Sequence, residues 1–482
     1  MNLSLISLEL AVVALGVIVL LMDLAAPREW RPASGWLAML GLVGVLGWSV
    51  WGGLPADGTA FGGMVVADGI TRFFHRFFLV TGVLVLWLAA VHHDDAGSGA
   101  AEYQVLTLFS LAGMMLAAAA GHFAVLFVAL ELITVPFYVL TSFQRHRPAS
   151  LEAGAKYLVL GALSSAVLVY GIALVYGATG TMAFDRLTSL TPPLTGNPLL
   201  TAGLLMVLGG LCFKIAAVPF QFWAPDVYQG APVPTLAFLA VGSKAAGFAL
   251  LLRLATGALP ALALQAQTLL LVLAGATILY GNLCAVRQPN FKRMIGYAGI
   301  ASAGYLLMGF ATLNRAGVAA MLFYLGAYVF TLLAILAVFG VVARAAGLEE
   351  TQSLAGLGQR SPLLAAGLTL GMVSLAGVPP LAGFLGKFML IKAVIEQGAT
   401  NAAFYWIAGI AIVGVVVSVY YCFAVIRTVY WPAEAEDLSP LAAGRWSRLL
   451  VVVCSCLVLA LGVFPGPLLN WIAESLRALT PA

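Results

Sequence analysis

Apolar residues along this chain come in runs of about 20, long enough to cross a bilayer, and not in the two-residue alternation of half-buried strands. The runs lie at roughly 4–22, 35–54, 73–91, 103–120, 122–142, 151–177, 200–220, 232–256, 262–285, 294–311, 316–344, 362–379 continuing to 396, 402–430 and 446–472. They predict an all-α polytopic membrane protein of about 14 transmembrane helices with short connections and no soluble domain. Two runs, spans 7 and 12, are interrupted by proline: AAVPFQFWAP at 216–225 and LAGVPPLAGFLGK at 375–387. Each has a lysine within about two turns of the interruption, Lys214 before the first and Lys387 after the second. Interrupted spans in corresponding halves point to an inverted repeat with an ion path at the breaks. Backbone freed there survives at membrane depth only where protein or water satisfies it. The expected organisation is N-terminal helices in 1–100, two five-helix repeats in 101–258 and 259–432, and a last helix in 433–482.

Composition sharpens the picture. Of 482 residues 62% are hydrophobic and 9% charged, with mean hydropathy +1.04, far from the roughly 25% charged of soluble domains. The net charge of +4 comes from scattered residues with no basic stripe, which argues against a nucleic-acid partner and leaves the lipid bilayer as the expected surroundings. Five cysteines sit in or beside apolar runs with no CxxC pair and no clustered histidines, so neither a disulfide framework nor a metal or iron–sulfur site is expected. The first run lacks a basic flank and carries Glu9, which reads as a retained span and not a cleaved signal.

Orientation follows from basic residues near span ends. With the N-terminus outside, the inner side collects Arg28, Arg31, Arg145, Arg147, Arg287, Lys292, Arg293, Arg344, Arg360, Arg427, Arg445 and Arg448. The outer side collects only Arg72, Arg76, Arg186, Arg253, Arg315 and Arg477. Both termini are therefore expected outside, on the periplasmic side of a bacterial inner membrane.

Charges in mid-span are the candidate chemistry, because an ammonium at bilayer depth costs several kcal/mol and must face protein or water. Glu131 lies in HFAVLFVALELITVPFYVL with no other ionisable residue between His122 and Arg145. A lone carboxylate there becomes neutral or finds a cation, and Lys214 is the natural candidate. Such a pair can exchange a proton when a nearby charge changes, although it also reads as a static ion pair fixing helix packing. Lys244 lies about a dozen residues into its span, out of reach of either surface. Lys156 is near the start of its span and can snorkel, and Lys387 is a better proton site than Lys392, which approaches the surface near Glu396. Asp226, after a proline, reads as a helix cap; His75, His92, His93 and His146 read as wetted span ends; His122 reads as interfacial or as a point where protons enter.

Four runs carry a family resemblance: EAGAKYLVLGALSSAVLVYGIALVYGATGT at 152–181, KIAAVPFQFWAPDVYQGAPVPTLAFLAVGSKAAGF at 214–248, RQPNFKRMIGYAGIASAGYLLMG at 287–309 and LAGVPPLAGFLGKFMLIKAV at 375–394. They closely resemble subunit N of the proton-translocating NADH:quinone oxidoreductase, respiratory complex I, over nearly the whole chain. PDVYQGAP and PPLAGFLGKF are shared with the wider family of antiporter-like subunits, whereas KYLVLGALSSA…YGIALVYGATGT resembles subunit N in particular. The resemblance implies fourteen helices in two inverted five-helix repeats, with neighbouring antiporter-like subunits in a membrane arm. It implies that Glu131 pairs with Lys214, that Lys244 connects the halves, that Lys387 borders the second half-channel, and that Lys156 is a matching family lysine. It places quinone, FMN and iron–sulfur clusters in partner subunits, with no cofactor in this chain. Gln221 and Ser302 stand where many relatives have histidine, so both central histidine relays are missing and protons are expected to pass by water chains between lysines. Competing readings are a subunit of a multisubunit cation/proton antiporter or membrane-bound hydrogenase, and a structural subunit with static charges.

Overall fold

A computed structural model describes residues 3–25, 33–52, 57–92, 99–190, 196–258, 266–431 and 439–477. In chain order the helices begin with α1 Ser7–Ala25, α2 Ala33–Trp51, α3 Gly69–Val91, α4 Ala100–Ala118, α5 Phe123–Thr141 and α6 Pro148–Thr179. They continue with α7 Phe184–Leu190, α8 Pro198–Ile215, α9 Trp223–Gly230, α10 Val233–Phe238, α11 Lys244–Arg253, α12 Gln267–Ala285 and α13 Phe291–Phe310. The last are α14 Arg315–Ala346, α15 Leu357–Arg360, α16 Pro362–Ala376, α17 Ala382–Gln397, α18 Ala403–Tyr430, α19 Arg445–Val463 and α20 Gly466–Ser475.

Among the described residues twelve helices are long and apolar enough to cross a membrane. The other two expected spans take different forms. Residues 294–310 of the tenth expected span are helical within α13 but are not one of the twelve, and 362–396 is split into the shorter helices α16 and α17. One element departs from the all-α expectation: β1 (Gly58–Ala60) and β2 (Val65–Ala67) pair antiparallel, with Thr59 opposite Val66. Gly62 and Gly63 supply the positive φ values of 68° and 89° that this turn requires.

Helix ends follow local chemistry. Asn197, Asn290 and Asn314 cap α8, α13 and α14 by accepting backbone N–H groups at 2.9, 3.0 and 2.8 Å, and Pro148, Pro198 and Pro362 sit at helix starts, where a missing N–H costs nothing. The described residues fall into two compact units. The first comprises Met1–Trp223, Gly230–Gln267 and Ala473–Ala482, the second Ala224–Gln229 and Thr268–Ile472. In the first unit α6 and α8 approach closely: a Cβ on Gly171 would lie 2.7 Å from the Gly203 carbonyl oxygen, so small residues are needed there. Residues 233–254 are buried throughout, while most of α6 faces outward with Leu158, Val159, Leu163 and Tyr170 exposed, as a lipid-facing helix requires. Val233–Thr256 is not one regular helix; π-helical turns at Leu239–Ser243 and Leu254–Ala258 interrupt it on either side of α11.

Candidate functional site

Both proline-interrupted segments are broken as their sequences predict, and at each the preceding helix ends in a left-handed residue. Ala216 (φ 57°) terminates α8 and Gly377 (φ 86°) terminates α16, after which the chain runs irregularly to Trp223 and Ala382 respectively. The bonds Val218–Pro219 and Pro379–Pro380 within the breaks are cis.

At the first break Lys214 occupies the last turn of α8, buried, with Nζ donating to Thr134 Oγ1 at 2.9 Å. Thr134 spends its own proton on Leu130 O, so its hydroxyl can only accept from the lysine. Glu131 lies one turn earlier on α5, half-buried, and accepts a 2.6 Å hydrogen bond from Ser165 on α6. Glu131, Thr134, Ser164, Ser165 and Lys214 line one cavity of about 20 Å³, room for about one water. The structure therefore brings Glu131 and Lys214 to a common cavity, while a direct ion pair within 4.0 Å does not form; hydroxyls stand between them.

Lys244 opens α11 directly after a π-helical turn and is 2% exposed. One turn on, Gly247 makes room for Ile215, whose Cγ2 would lie 2.5 Å from a Cβ there, with Lys214 Cγ beside it at 3.6 Å. Lys156 is not part of this cavity; on the outer part of α6 it pairs with Glu152 at 2.7 Å, half-exposed. Gln221, inside the break, is 2% exposed, and its Oε1 has no hydrogen-bond partner among the described residues.

In the second unit Lys387 on α17 folds back onto the end of α16. Its Nζ donates to Leu375 O at 2.8 Å, Ala376 O at 3.1 Å and Ser418 Oγ at 3.4 Å, and lies 5.0 Å from the Tyr305 ring centroid. These carbonyls lack helical partners and carry the negative end of the helix dipole. Among the described residues no carboxylate reaches ion-pairing distance of Lys387. Ser302 donates to Ala298 O at 3.0 Å and accepts from Tyr324 at 3.3 Å. Lys392 and Glu396 form an exposed pair at 3.7 Å.

Several polar residues stand elsewhere than the sequence suggests. His75 and His92 are buried, not wetted: His75 Nε2 lies 3.3 Å from Glu9 Oε1 and 3.1 Å from Met115 O, and His92 Nδ1 lies 2.9 Å from Leu88 O. Partners within the bundle make that burial possible. His146 is exposed, whereas His93, Arg28 and Arg31 lie outside the described residues. Nδ1 of His122 caps α5 by accepting from Ala124 N at 3.1 Å. Asp226, expected as a cap, instead holds Arg293 at 2.6 Å within the second unit. Arg253, counted among the outer span-end charges, is buried and binds Asp68 through two nitrogens at 2.6 and 2.8 Å. Burial raises the Asp68 carboxyl, but the Arg253 charge and hydrogen bonds from Arg253 and Thr71 outweigh it and hold the group below the ordinary carboxylate value. Both residues line a larger cavity of about 460 Å³ with Asp185 and Thr256. Thr134, Ser165, Ser418 and Tyr305 were not anticipated. Their signal is a lone hydroxyl in an apolar run, which is ambiguous because many such groups, Thr81 among them, bond only the preceding turn.

Residues 120–417 match the family described as NADH:quinone oxidoreductase/Mrp antiporter, TM. NADH-quinone oxidoreductase subunit N of Desulforamulus reducens is 39% identical, covering 97% of this chain and 96% of the relative. A chain of respiratory complex I from Thermus thermophilus is 32% identical with a TM-score of 0.78, covering 96% of this chain and 98% of that one. A chain of the Mrp complex from Dietzia sp. shares the fold, with a TM-score of 0.83 at 21% identity, covering 99% of this chain and 98% of that one. Full-length similarity, a matching transmembrane region and broken helices with buried lysines converge, and the chain belongs to the NADH-quinone oxidoreductase subunit N branch of the antiporter-like membrane family.

Proposed function

We propose that this chain is a proton-translocating subunit in the membrane arm of a respiratory NADH:quinone oxidoreductase, set in a bacterial inner membrane. The observation that carries the reading is the cavity where Glu131 and Lys214 meet through Thr134 and Ser165 beside a broken helix. A carboxylate that gains or loses a proton changes the field at Lys214, and the adjoining hydroxyls and irregular backbone can hold the water that moves the proton. Lys244 extends the path along α11, whose far end, Arg253, reaches the 460 Å³ cavity nine residues on. Lys387 serves the second repeat from the end of α16. Flavin, iron–sulfur and quinone chemistry is assigned to partner subunits, with neighbouring antiporter-like subunits alongside. The fourteen-helix, two-repeat organisation is part of the same proposal, supported by α13 and the α16–α17 pair as the two spans beyond the twelve.

The test is to purify the native complex, identify its subunits and reconstitute it in sealed vesicles. NADH oxidation is expected to acidify one side, and Lys244→Ala to abolish this, while Ser302→His retains it. Normal pumping by Lys244→Ala would sink the reading. Recovery of the chain without flavin, iron–sulfur and quinone-site partners would support the antiporter alternative instead.

A further inference from the structure

At the second break the two half-helices exchange end groups. Leu381, the N-cap of α17, offers no side-chain acceptor, so the N–H groups of the first turn need a partner from elsewhere. Ser374, near the end of α16, supplies one from across the break: the Gly383 N–H donates to Ser374 Oγ at 3.1 Å, both groups buried. In return Lys387 of α17 donates to the carbonyls of Leu375 and Ala376 at the end of α16. A capping side chain ordinarily lies two or three residues before the N–H it serves. Here it lies nine residues back on another helix, which helix formation in α17 does not by itself require.

The contact is close and braced. A Cβ on Gly383 would collide with the Ser374 carbonyl oxygen, so α17 begins directly against α16. Gly383 and Lys387 are four residues apart and share one face of α17, so holding the first directs the second at the same stretch of α16. The serine hydroxyl is itself held: Ser374 Oγ and Thr331 Oγ1 of α14 lie 2.8 Å apart, both buried, and one donates to the other. On the far side of the lysine, Ser418 Oγ accepts from Nζ at 3.4 Å and donates to Ala376 O at 3.0 Å. The three N–H donors of the ammonium thus meet three acceptors. At the first break the Phe213 carbonyl near the end of α8 accepts instead from the Trp223 indole at 2.9 Å, and Lys214 turns to Thr134. The reciprocal exchange therefore distinguishes the second break.

We infer that Ser374, braced by Thr331, is a positioning residue that aims Lys387 at the end of α16 by anchoring the first turn of α17. Its hydroxyl acts through the Gly383 N–H. Without that acceptor the N–H is left buried and unpaired, and the first turn of α17 is released from α16 with Lys387 one turn behind it. Such a release matters because a misplacement of about 1 Å can cost a reacting group up to about a hundredfold in rate.

This inference rests on the proposed pumping role, and the experiment separates the two. In the native complex carrying Ser374→Ala, NADH-driven quinone reduction by uncoupled membranes is expected to be retained, while protons moved per electron pair in sealed vesicles fall about tenfold. Ser374→Thr, which keeps the hydroxyl, is expected to restore the ratio, and Thr331→Val to lower it by a smaller factor. If Ser374→Ala keeps the unmodified ratio while Lys387→Met does not pump, the positioning role is overturned and the pumping role stands. If quinone reduction and proton movement in Ser374→Ala fall together at an unchanged ratio, the serine serves stability alone and the positioning role is again overturned. If the unmodified complex fails to pump, the pumping role itself falls. Thr331→Val is nearly isosteric, so where Ser374→Ala does not assemble, a lowered ratio in Thr331→Val supports the positioning role and an unchanged one overturns it.

Discussion

At the first break Lys214 reaches a threonine hydroxyl in a cavity shared with a carboxylate, whereas at the second Lys387 reaches two carbonyls at the end of the preceding helix. The two partners differ in kind. A carboxylate can change its charge by a full unit, while a helix terminus holds a fixed partial charge of roughly half a unit. A lysine beside Glu131 therefore sits in a field that a single proton can switch; a lysine on the carbonyls of α16 sits in a field set by the fold. The breaks also differ in strain. Both require a left-handed residue, but the first places Ala216 there and the second Gly377. Glycine is needed at the second because Lys387 folds over it: a Cβ on Gly377 would lie 2.8 Å from Lys387 Cδ.

Substituting the lysines tests this comparison most severely. Lys387→Met leaves the ends of α16 without their donor, and hydrogen bonds to a charged group are worth about 1.5–3 kcal/mol each. It is expected to destabilise the protein by about 3 kcal/mol and to stop pumping, with the melting temperature of the purified complex as the readout. Lys214→Met, losing a single bond to Thr134, is expected to stop pumping with a smaller drop in stability. Equal melting losses for the two would show that both lysines are held equally firmly.

Exchanging the left-handed residues comes next. Gly377→Ala combines a positive φ with a clash on Lys387 and is expected to cost about 1–2 kcal/mol. Ala216→Gly relieves strain already present and is expected to be neutral or slightly stabilising. Thermal melts of both variants decide the point.

Glu131→Gln keeps an acceptor for Ser165 but removes the switchable charge. Stability is expected to change by under about 1 kcal/mol, while pumping in vesicles falls about tenfold. Normal pumping would show that the first field is as fixed as the second.

The smallest effect concerns pH. Because the folded Asp68 carboxyl titrates below its unfolded value, its contribution to stability is full above the ordinary carboxylate range and disappears as pH falls through the folded value. Melts between neutral pH and pH about 3 are expected to show this acid loss, reduced in Asp68→Asn.

Much of this protein was legible in the order of its residues. Runs of about 20 apolar residues dictate membrane helices because backbone polar groups must be satisfied internally in lipid. Prolines followed by irregular backbone at 216–222 and 377–381 dictate the breaks, because proline removes an N–H and clashes with the preceding turn. Depth along a span marked Glu131, Lys214, Lys244 and Lys387, because an ionisable group there must have a reason. Tertiary structure decided the partners. Nothing in the spacing of Ser165, 34 residues beyond Glu131, or of Thr134, 80 before Lys214, says that their side chains meet. The same holds for Asp68 with Arg253, 185 residues apart. Lys156, near the start of its span and able to snorkel, is matched by the resemblance to a family lysine, and only the tertiary structure shows that it turns to Glu152 on the outer face. Helical periodicity states which face of a helix a residue occupies, but which other helix packs there depends on packing over the whole chain, and that packing placed hydroxyls between the acid and the lysine.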